Sequence, residues 1–354
     1  MKSLNNIFKY ALVAGVVMNF SSAFAGNEDR VGSAGATELL VNPWARSLAS
    51  GDAGVSCIKG LEASFVNVAG LAFTGKTQIK FNRTNWMGSA GIALNAAGIA
   101  QRINSSTVIA VSIQSMNFGD IDRTTVDLPE ATLGTFSPRM NVFNVGFAHS
   151  FSSSIHGGVN MKVISESISN LKATGVAFDA GITYVTGEQD QFKIGIALKN
   201  IGPVMKYKGD GLSDEVSHLT SGQVSTLEQR AATFELPSLL NIGASYDFNM
   251  GKMNCLTVMG AFTANSFQKD QYRLGLDYGL TIEKAAFNLR VGYVAEKGIF
   301  KTENRSNALT GLTAGISADV LFGKNKSGIG LEYAMRLAGQ FGVIHTFGAT
   351  ISLK

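Results

Sequence analysis

The chain has 354 residues, of which 45% are apolar and only 16% are charged, and it contains 40 Gly and 5 Pro. A soluble domain carries roughly 25% charged residues, and disordered chains are richer in charge still, so the composition excludes intrinsic disorder. Beyond the N-terminus no run of about 18 uncharged apolar residues occurs, which argues against membrane-spanning helices. The formal net charge of +4 gives no reason to expect nucleic acid as a partner.

The N-terminus has the pattern of a secretory signal peptide. Two lysines precede the apolar stretch 10–20, and the tripeptide Ala-Phe-Ala ends at a predicted cleavage site between Ala25 and Gly26. We therefore expect residues 1–25 to be removed. An N-terminal anchor helix is the alternative, but the apolar stretch is too short to span a membrane.

Residues 26–75 show no regular alternation and are rich in small side chains. A barrel of about 14 strands encloses a lumen wider than its own side chains fill. We therefore predict that 26–75 form a plug inside the lumen of a barrel built from 76–354.

From about residue 76 onward apolar residues recur at every second position, which indicates strands. In 240–248, for example, one face carries Leu240, Ile242, Ala244, Tyr246 and Phe248. The predicted strands lie near 76–86, 88–99, 107–118, 141–150, 155–167, 174–186, 191–201, 238–248, 253–265, 271–280, 284–294, 309–321, 327–337 and 340–352.

The predicted strands are long, and they are about 14 in number. Soluble strands usually have about 5–6 residues, whereas a tilted membrane-spanning strand needs about 9–11. An even number of such strands behind a signal peptide predicts an all-β fold, a transmembrane antiparallel β-barrel of the outer membrane. A large secreted β-sandwich is the alternative, but it would not expose apolar residues along every strand.

The lengths of the connections agree with this prediction. Barrels of this kind have short periplasmic turns and longer surface loops. The longest predicted connections, 119–140, 202–237 and 295–308, are the third, seventh and eleventh, so all three fall on one side of the membrane. We expect that side to face outward.

The predicted plug resembles the start of the PorV/PorQ family of Bacteroidota outer-membrane proteins, within the broader group of fatty-acid-transporter-like barrels. The plug residues that carry this resemblance are Pro43, Ala45, Arg46, Gly51, Asp52, Ala53, Gly54, Val55, Asn67, Ala69, Gly70 and Leu71. Two positions depart from the family pattern, because Val68 replaces a proline and Ser50 replaces a methionine.

The resemblance implies a non-enzymatic accessory of the type IX secretion system, acting in cargo shuttling or surface attachment. Its partners would be outer-membrane lipid, the secretion translocon or attachment-complex proteins, and the C-terminal domains of cargo. We expect the loops 119–140 and 202–237 to form the docking surface, since long exposed loops carry function on a rigid scaffold. The competing hypothesis is a transporter of hydrophobic small molecules, which requires an apolar pocket and a lateral opening near a kinked strand.

The sequence contains no pattern typical of a catalytic, cofactor or metal site, so we predict none. Whether Cys57 and Cys255 pair stays open. Charged residues on the polar strand face and in the plug either pair with each other and hold the plug, or form a polar path for a solute. They are Arg46, Asp52, Asp179, Asp247, Arg273, Asp277, Arg290, Asp319, Glu332 and Arg336.

Overall fold

The fold is a closed barrel of 14 antiparallel strands. A computed structural model describes residues 30–87, 91–127, 129–130, 133–217, 224–251, 253–296, 307–323 and 325–354. The barrel strands are β1 (Thr77–Trp86), β2 (Ile92–Arg102), β3 (Thr107–Asn117), β4 (Arg139–Ser150), β5 (Ile155–Ile168), β6 (Leu171–Thr186), β7 (Phe192–Ile201), β8 (Leu239–Met250), β9 (Asn254–Asn265), β10 (Gln271–Thr281), β11 (Ala285–Glu296), β12 (Gly311–Phe322), β13 (Ser327–Leu337) and β14 (Val343–Leu353). Each predicted strand overlaps one of these, and the predicted fold class is confirmed.

The barrel is closed by pairing of its first and last strands. Thr77 lies opposite Leu353, and Asn85 lies opposite His345. Every other barrel strand pairs with its neighbours in sequence order. Closure pairs the two terminal strands with each other, which satisfies backbone polar groups that lipid cannot.

The period-2 alternation separates a lumen face from a lipid face. In β14, Thr346 and Thr350 point inward and are 0% and 1% exposed, whereas Phe347 and Ile351 are 54% and 41% exposed. An apolar outer surface of this kind is stable in lipid and unfavourable in water. The apolar composition of the chain is therefore explained by residues that face lipid.

The two rims of the barrel differ in the length of their connections. The longest, 118–138 and 202–238, lie on one rim, whereas turns such as 151–154 and 187–191 lie on the other. Surface loops are the longer ones in such barrels, so we call the rim with the long connections the outer rim and the rim with the short turns the inner rim. Outer-rim elements are the short paired strands Ile121–Asp122 with Thr135–Phe136, Met205–Lys206 with Thr233–Phe234 and Ser213–Ser217 with Val224–Glu228, and the 3₁₀ helices Asp210–Leu212 and Gly339–Phe341.

Residues 30–75 run through the lumen, and we call them the luminal segment. Its elements are a 3₁₀ helix Thr37–Leu40, α1 (Ala45–Ala49), α2 (Ala63–Val66) and a 3₁₀ helix Val68–Phe73. At the outer rim Ala34 forms a parallel bridge with Glu235. At the inner rim the backbone N–H of Lys76 donates to the carbonyl oxygen of Leu353 over 2.8 Å. The segment therefore extends from the outer rim to the start of β1.

No helix in the described ranges is both long and apolar enough to cross a membrane. The helices α1 and α2 have 5 and 4 residues. Their side chains pack within the lumen, where Leu48 and Ala63 are both 0% exposed.

Candidate functional site

The barrel wall has glycine at many points where it meets the luminal segment. A Cβ atom added at Gly292 would lie 2.3 Å from the backbone nitrogen of Gly51, and one at Gly195 would lie 2.4 Å from the carbonyl oxygen of Val55. Real Cβ atoms essentially never approach another atom that closely. Six more inward glycines would place a Cβ atom less than 3.0 Å from the segment, namely Gly146, Gly158, Gly181, Gly243, Gly275 and Gly315.

A buried ion network joins the luminal segment to strands β1, β12 and β13. The Arg46 Nε atom lies 2.7 Å from Glu332 Oε1, and its Nη2 atom lies 3.2 Å from Asp319 Oδ1. Lys80 Nζ lies 2.9 Å from Glu332 Oε2 and also contacts Glu62. Lys80, Glu62 and Glu332 are nearly inaccessible to solvent. Removing one partner of a buried ion pair is strongly unfavourable, so this network holds the segment against the wall.

Asp52 makes a second connection to the wall. Gly51 and Asp52 have φ angles of +66° and +57°, a left-handed conformation that Gly adopts freely and Asp tolerates. This turn directs the Asp52 carboxylate toward β13, where the Arg336 Nη2 atom donates to it over 2.8 Å. The Asn42 amide donates to the same carboxylate.

Asn67 connects three parts of the structure. Its side chain accepts a hydrogen bond from the backbone N–H of Ala69, which caps the second 3₁₀ helix. Its Nδ2 atom donates to the carbonyl oxygen of Val55 over 2.8 Å and to that of Ile182 in β6 over 3.2 Å. The adjacent turn requires a glycine, because a Cβ atom at Gly70 would lie 2.3 Å from a backbone carbonyl oxygen.

The remaining residues of the predicted plug motif lie in the luminal segment as well. Ala69 and Leu71 are 0% exposed, and Pro43 is buried. Gly54 has room for a Cβ atom, since the nearest atoms to one added there are 3.7 Å away. Ala25 and Gly26 lie outside the described residues, so signal cleavage and the boundaries at 25 and 75 stay predictions.

Charges on the lumen face of the strands form ion pairs with lysines that the sequence reasoning missed. Asp179 pairs with Lys162 over 2.6 Å, and Lys193 contacts Asp247. The missed lysines occupy inward positions of the alternation, and that parity was the signal that could have found them. Asp277 pairs with Arg290 over 2.8 Å.

The outer half of the lumen contains two apolar clusters, and we call their strand residues together the apolar wall. Inward side chains of β1 to β6 and β14 build it, and residues of the luminal segment such as Leu39 and Val41 pack against it. Its buried members are Trp86, Leu94, Met116, Val142, Ile164, Ala173, Ala177 and Ile344, with Met87, Phe118 and Met140 partly buried beside them. The lumen of a barrel is usually polar, so this concentration of apolar side chains is a distinctive feature.

A bulge interrupts the wall at β7. The register between β6 and β7 shifts near Phe178, and the consecutive residues Lys199 and Asn200 both point inward. Beyond the end of β7 the outer half of β6 is covered by 202–208, where Met205 is 1% exposed. Gly175 in β6 makes room for it, because an added Cβ atom would lie 2.5 Å from the Met205 side chain.

Two buried carboxyl groups meet at the edge of the apolar wall. Glu38 and Glu166 are each 2% exposed, and neither oxygen of Glu38 has a hydrogen-bond partner among the described residues. The Tyr207 hydroxyl donates to Glu166. Burial, assisted by the neighbouring Glu166, raises the pKa of Glu38 to about 8.

In the part of the chain that the structure describes, no group of three or more His, Cys, Asp and Glu side chains could hold a metal ion. Cys57 and Cys255 are both free thiols. Burial raises the pKa of the Cys57 thiol to about 11, which keeps it protonated and unreactive near neutral pH.

No protein-family model and no curated protein matches the chain. Solved structures do. The Pseudomonas putida toluene transporter TodX superposes with a TM-score of 0.55 at 12% identity, over 88% of this chain and 98% of that one. A Pseudomonas aeruginosa FadL homologue gives 0.53 at 13% over 88% and 98%, and the Ralstonia pickettii toluene transporter TbuX gives 0.52 at 12% over 86% and 96%.

The fold is that of FadL-type outer-membrane transporters. The protein is accordingly located in the outer membrane, and the similar structures are transport channels rather than enzymes. The barrel fold that the broader resemblance to fatty-acid-transporter-like barrels implies is confirmed, whereas the narrower resemblance to PorV/PorQ stays a prediction.

The expected role as a type IX secretion accessory is wrong. Among the structures that share this fold over most of the chain, TodX and TbuX are described as toluene transporters and CymD as a monoaromatic hydrocarbon channel. The physical basis for a docking surface is also weaker than the sequence suggested. The connection 202–237 packs Met205, Phe234 and Leu236 into the apolar wall, so part of this loop covers the barrel mouth.

Proposed function

We propose that this protein carries small hydrophobic molecules across the outer membrane, and that the apolar wall of the outer lumen receives them. That wall is the observation which supports the proposal. Leu94, Met116 and Ile344 are at most 4% exposed, although they occupy inward positions where a purely structural barrel would carry polar residues.

The composition of the wall suits ligands of varied shape. Met87, Met116, Met140 and Met205 contribute to it, and methionine side chains are flexible and polarizable, so they adapt to irregular apolar surfaces. Trp86 adds a rigid aromatic face. The similar structures TodX and TbuX, described as toluene transporters, support the same ligand class.

The exit for such a molecule would be sideways through the wall. The straight path toward the inner rim passes the charged network of Arg46, Lys80 and Glu332, where an apolar solute would have to displace ion pairs. Because of the bulge in β7 and the irregular 202–208 stretch, the barrel has fewer strand-to-strand hydrogen bonds along the outer half of β6, beside the apolar wall. Movement of the 202–208 stretch away from the edge of β6 would open this part of the wall to lipid.

Uptake of a radiolabelled monoaromatic hydrocarbon tests the proposal, in a Gram-negative host that lacks its own channel of this type. We expect the wild-type protein to raise the uptake rate above that of the empty host. Met116→Glu should abolish the increase, because it places a carboxylate in the apolar wall at a cost of several kcal/mol. Met253→Glu is the matched control, since Met253 lies in an inner-rim turn and is 56% exposed.

Equal uptake by the wild-type protein and the empty host would contradict the proposal. So would equal loss of uptake in Met116→Glu and Met253→Glu, with both variants folded. Barrel folding is checked for each variant by heat-modifiable mobility in gels.

A further inference from the structure

A small cavity on the outer side of the luminal segment is lined by three cationic side chains, two of which have no ion-pair partner among the described residues. Its lining includes Lys199, Arg273 and Arg336, with Asp52 as the only carboxylate among its described lining residues. Asp52 is already bonded to Arg336 and to the Asn42 amide. Lys199 and Arg273 form no ion pair with any described residue.

This excess of cations over carboxylates is unusual within the lumen of the same protein. Lys80, Lys162, Lys193 and Arg290 each lie against a carboxylate. The ammonium group of Lys199, in contrast, lies 3.9 Å from the centre of the Phe65 ring, and the residue is only 5% exposed. A buried cation without a counter-charge is strongly unfavourable, so the buried Lys199, together with the half-buried Arg273 in the same cavity, favours binding of an external anion.

The neutral side chains of the cavity point to the same ligand chemistry. The amide oxygens of Asn241, Gln268 and Gln271 accept hydrogen bonds from Thr263, Asn307 and Arg273, over 2.8, 2.9 and 2.9 Å. An amide group whose oxygen is occupied still has two N–H donors to offer. The buried Nε atoms of Arg273 and Arg336 have no partner among the described residues. The free polar groups of these five side chains are therefore donors, whereas Asn265 of the same cavity already donates from its amide nitrogen to the carbonyl oxygen of Lys269 over 2.9 Å.

We propose that this cavity is a binding site for a small oxyanion, a carboxylate or a phosphate, which enters from the outer rim. Lys199 and Arg273 supply the charge, and the three amides supply neutral donors. About 40 Å³ is open within it, room for roughly three water molecules and hence for one such group. Gln268 and Asn307 lie in outer-rim connections, which places the entrance on that side. The inference is independent of hydrocarbon transport.

The test measures binding of radiolabelled acetate and of radiolabelled inorganic phosphate to the purified full chain in detergent, at low chloride. We expect saturable binding with one site per chain. Lys199→Met and Arg273→Gln should each weaken it by about ten-fold or more, because each removes a charge-assisted hydrogen bond. Lys59→Met is the control, since Lys59 lines a different cavity near the inner rim.

The two probes distinguish the sources of the anion. Saturable acetate binding identifies a carboxylate site, and binding of phosphate alone identifies a phosphate site. Absence of saturable binding for both would overturn the proposal, as would binding that Lys59→Met weakens equally.

Thermal unfolding gives a second measurement that does not depend on tight binding. Without added anion, Arg273→Gln should melt at a higher temperature than the wild-type protein, because it removes an uncompensated charge. Lower melting of this variant, together with no effect of either anion on the wild-type protein, would show that the cations are structural and would refute the site.

Discussion

Replacing Lys80 by Met tests whether the buried ion network holds the luminal segment in the lumen. Lys80 is 1% exposed and lies between the carboxylates of Glu62 and Glu332, which are 2% and 4% exposed. The substitution leaves Arg46 as the remaining cation for both carboxylates. Breaking a buried pair by removing one partner costs about 3–5 kcal/mol, and we expect a loss of that size in the free energy of unfolding.

The chain provides a separate fluorescent probe for each part of the structure. Its 2 tryptophans are Trp44 in the luminal segment and Trp86 in β1. Lys80 Nζ lies 5.8 Å from the centre of the Trp44 ring. In a Trp86→Phe background, urea unfolding in lipid vesicles therefore reports on the luminal segment. In a Trp44→Phe background it reports on the barrel.

We expect Lys80→Met to shift the Trp44 transition to lower urea more than it shifts the Trp86 transition. The double variant Lys80→Met/Glu332→Gln should recover part of the loss, because it removes the carboxylate left without its partner. Lys59→Met, a change of the same chemistry at an exposed position, is the control. A loss below about 1 kcal/mol would refute the reasoning, since that is the strength of an exposed ion pair.

Two further substitutions test other contacts of the luminal segment. Gly292→Ala should lower the free energy of unfolding, measured from the Trp44 transition, by about 1–3 kcal/mol, because the new methyl group meets the backbone of Gly51 at 2.3 Å. Gly260→Ala is the control and should be nearly neutral, since its nearest contact is 3.6 Å. Equal effects of the two substitutions would contradict the packing argument. Glu38→Gln should remove a pH dependence of stability. Its raised pKa means that the folded state holds a proton that the unfolded state releases, so wild-type stability should fall as pH rises from about 4.5 to about 8. Urea titrations at several pH values check this, and an equally steep decline in the variant would refute the role of Glu38.

The barrel could be predicted from the sequence because lipid and lumen impose opposite chemistry on alternate residues. The apolar inward residues of the outer lumen are also partly visible in the sequence. Residues 92–94, which include Leu94, are apolar on both faces, a pattern that ordinary alternation does not require. That pattern was available and was not used to predict the apolar wall.

Other features had no periodic signal in the sequence. The bulge at Lys199 and Asn200 depends on a contact with β6, since the backbone N–H of Asn200 donates to Asp179 Oδ1 over 2.8 Å. The path of the luminal segment is set by contacts such as Arg46 with Asp319, which are 273 positions apart. The sequence places such charges on a face of a strand but does not identify their partners.

The glycines of the wall have a consequence for the order of assembly. At Gly195, Gly275 and Gly292 the backbone of the barrel wall packs directly against the backbone of the luminal segment. A chain that fits this closely cannot be threaded into a finished cylinder. The wall has to wrap around a segment already in place, and the seam between β1 and β14 closes over it. The luminal segment, which precedes every barrel strand in the chain, is therefore in place before β14 pairs with β1.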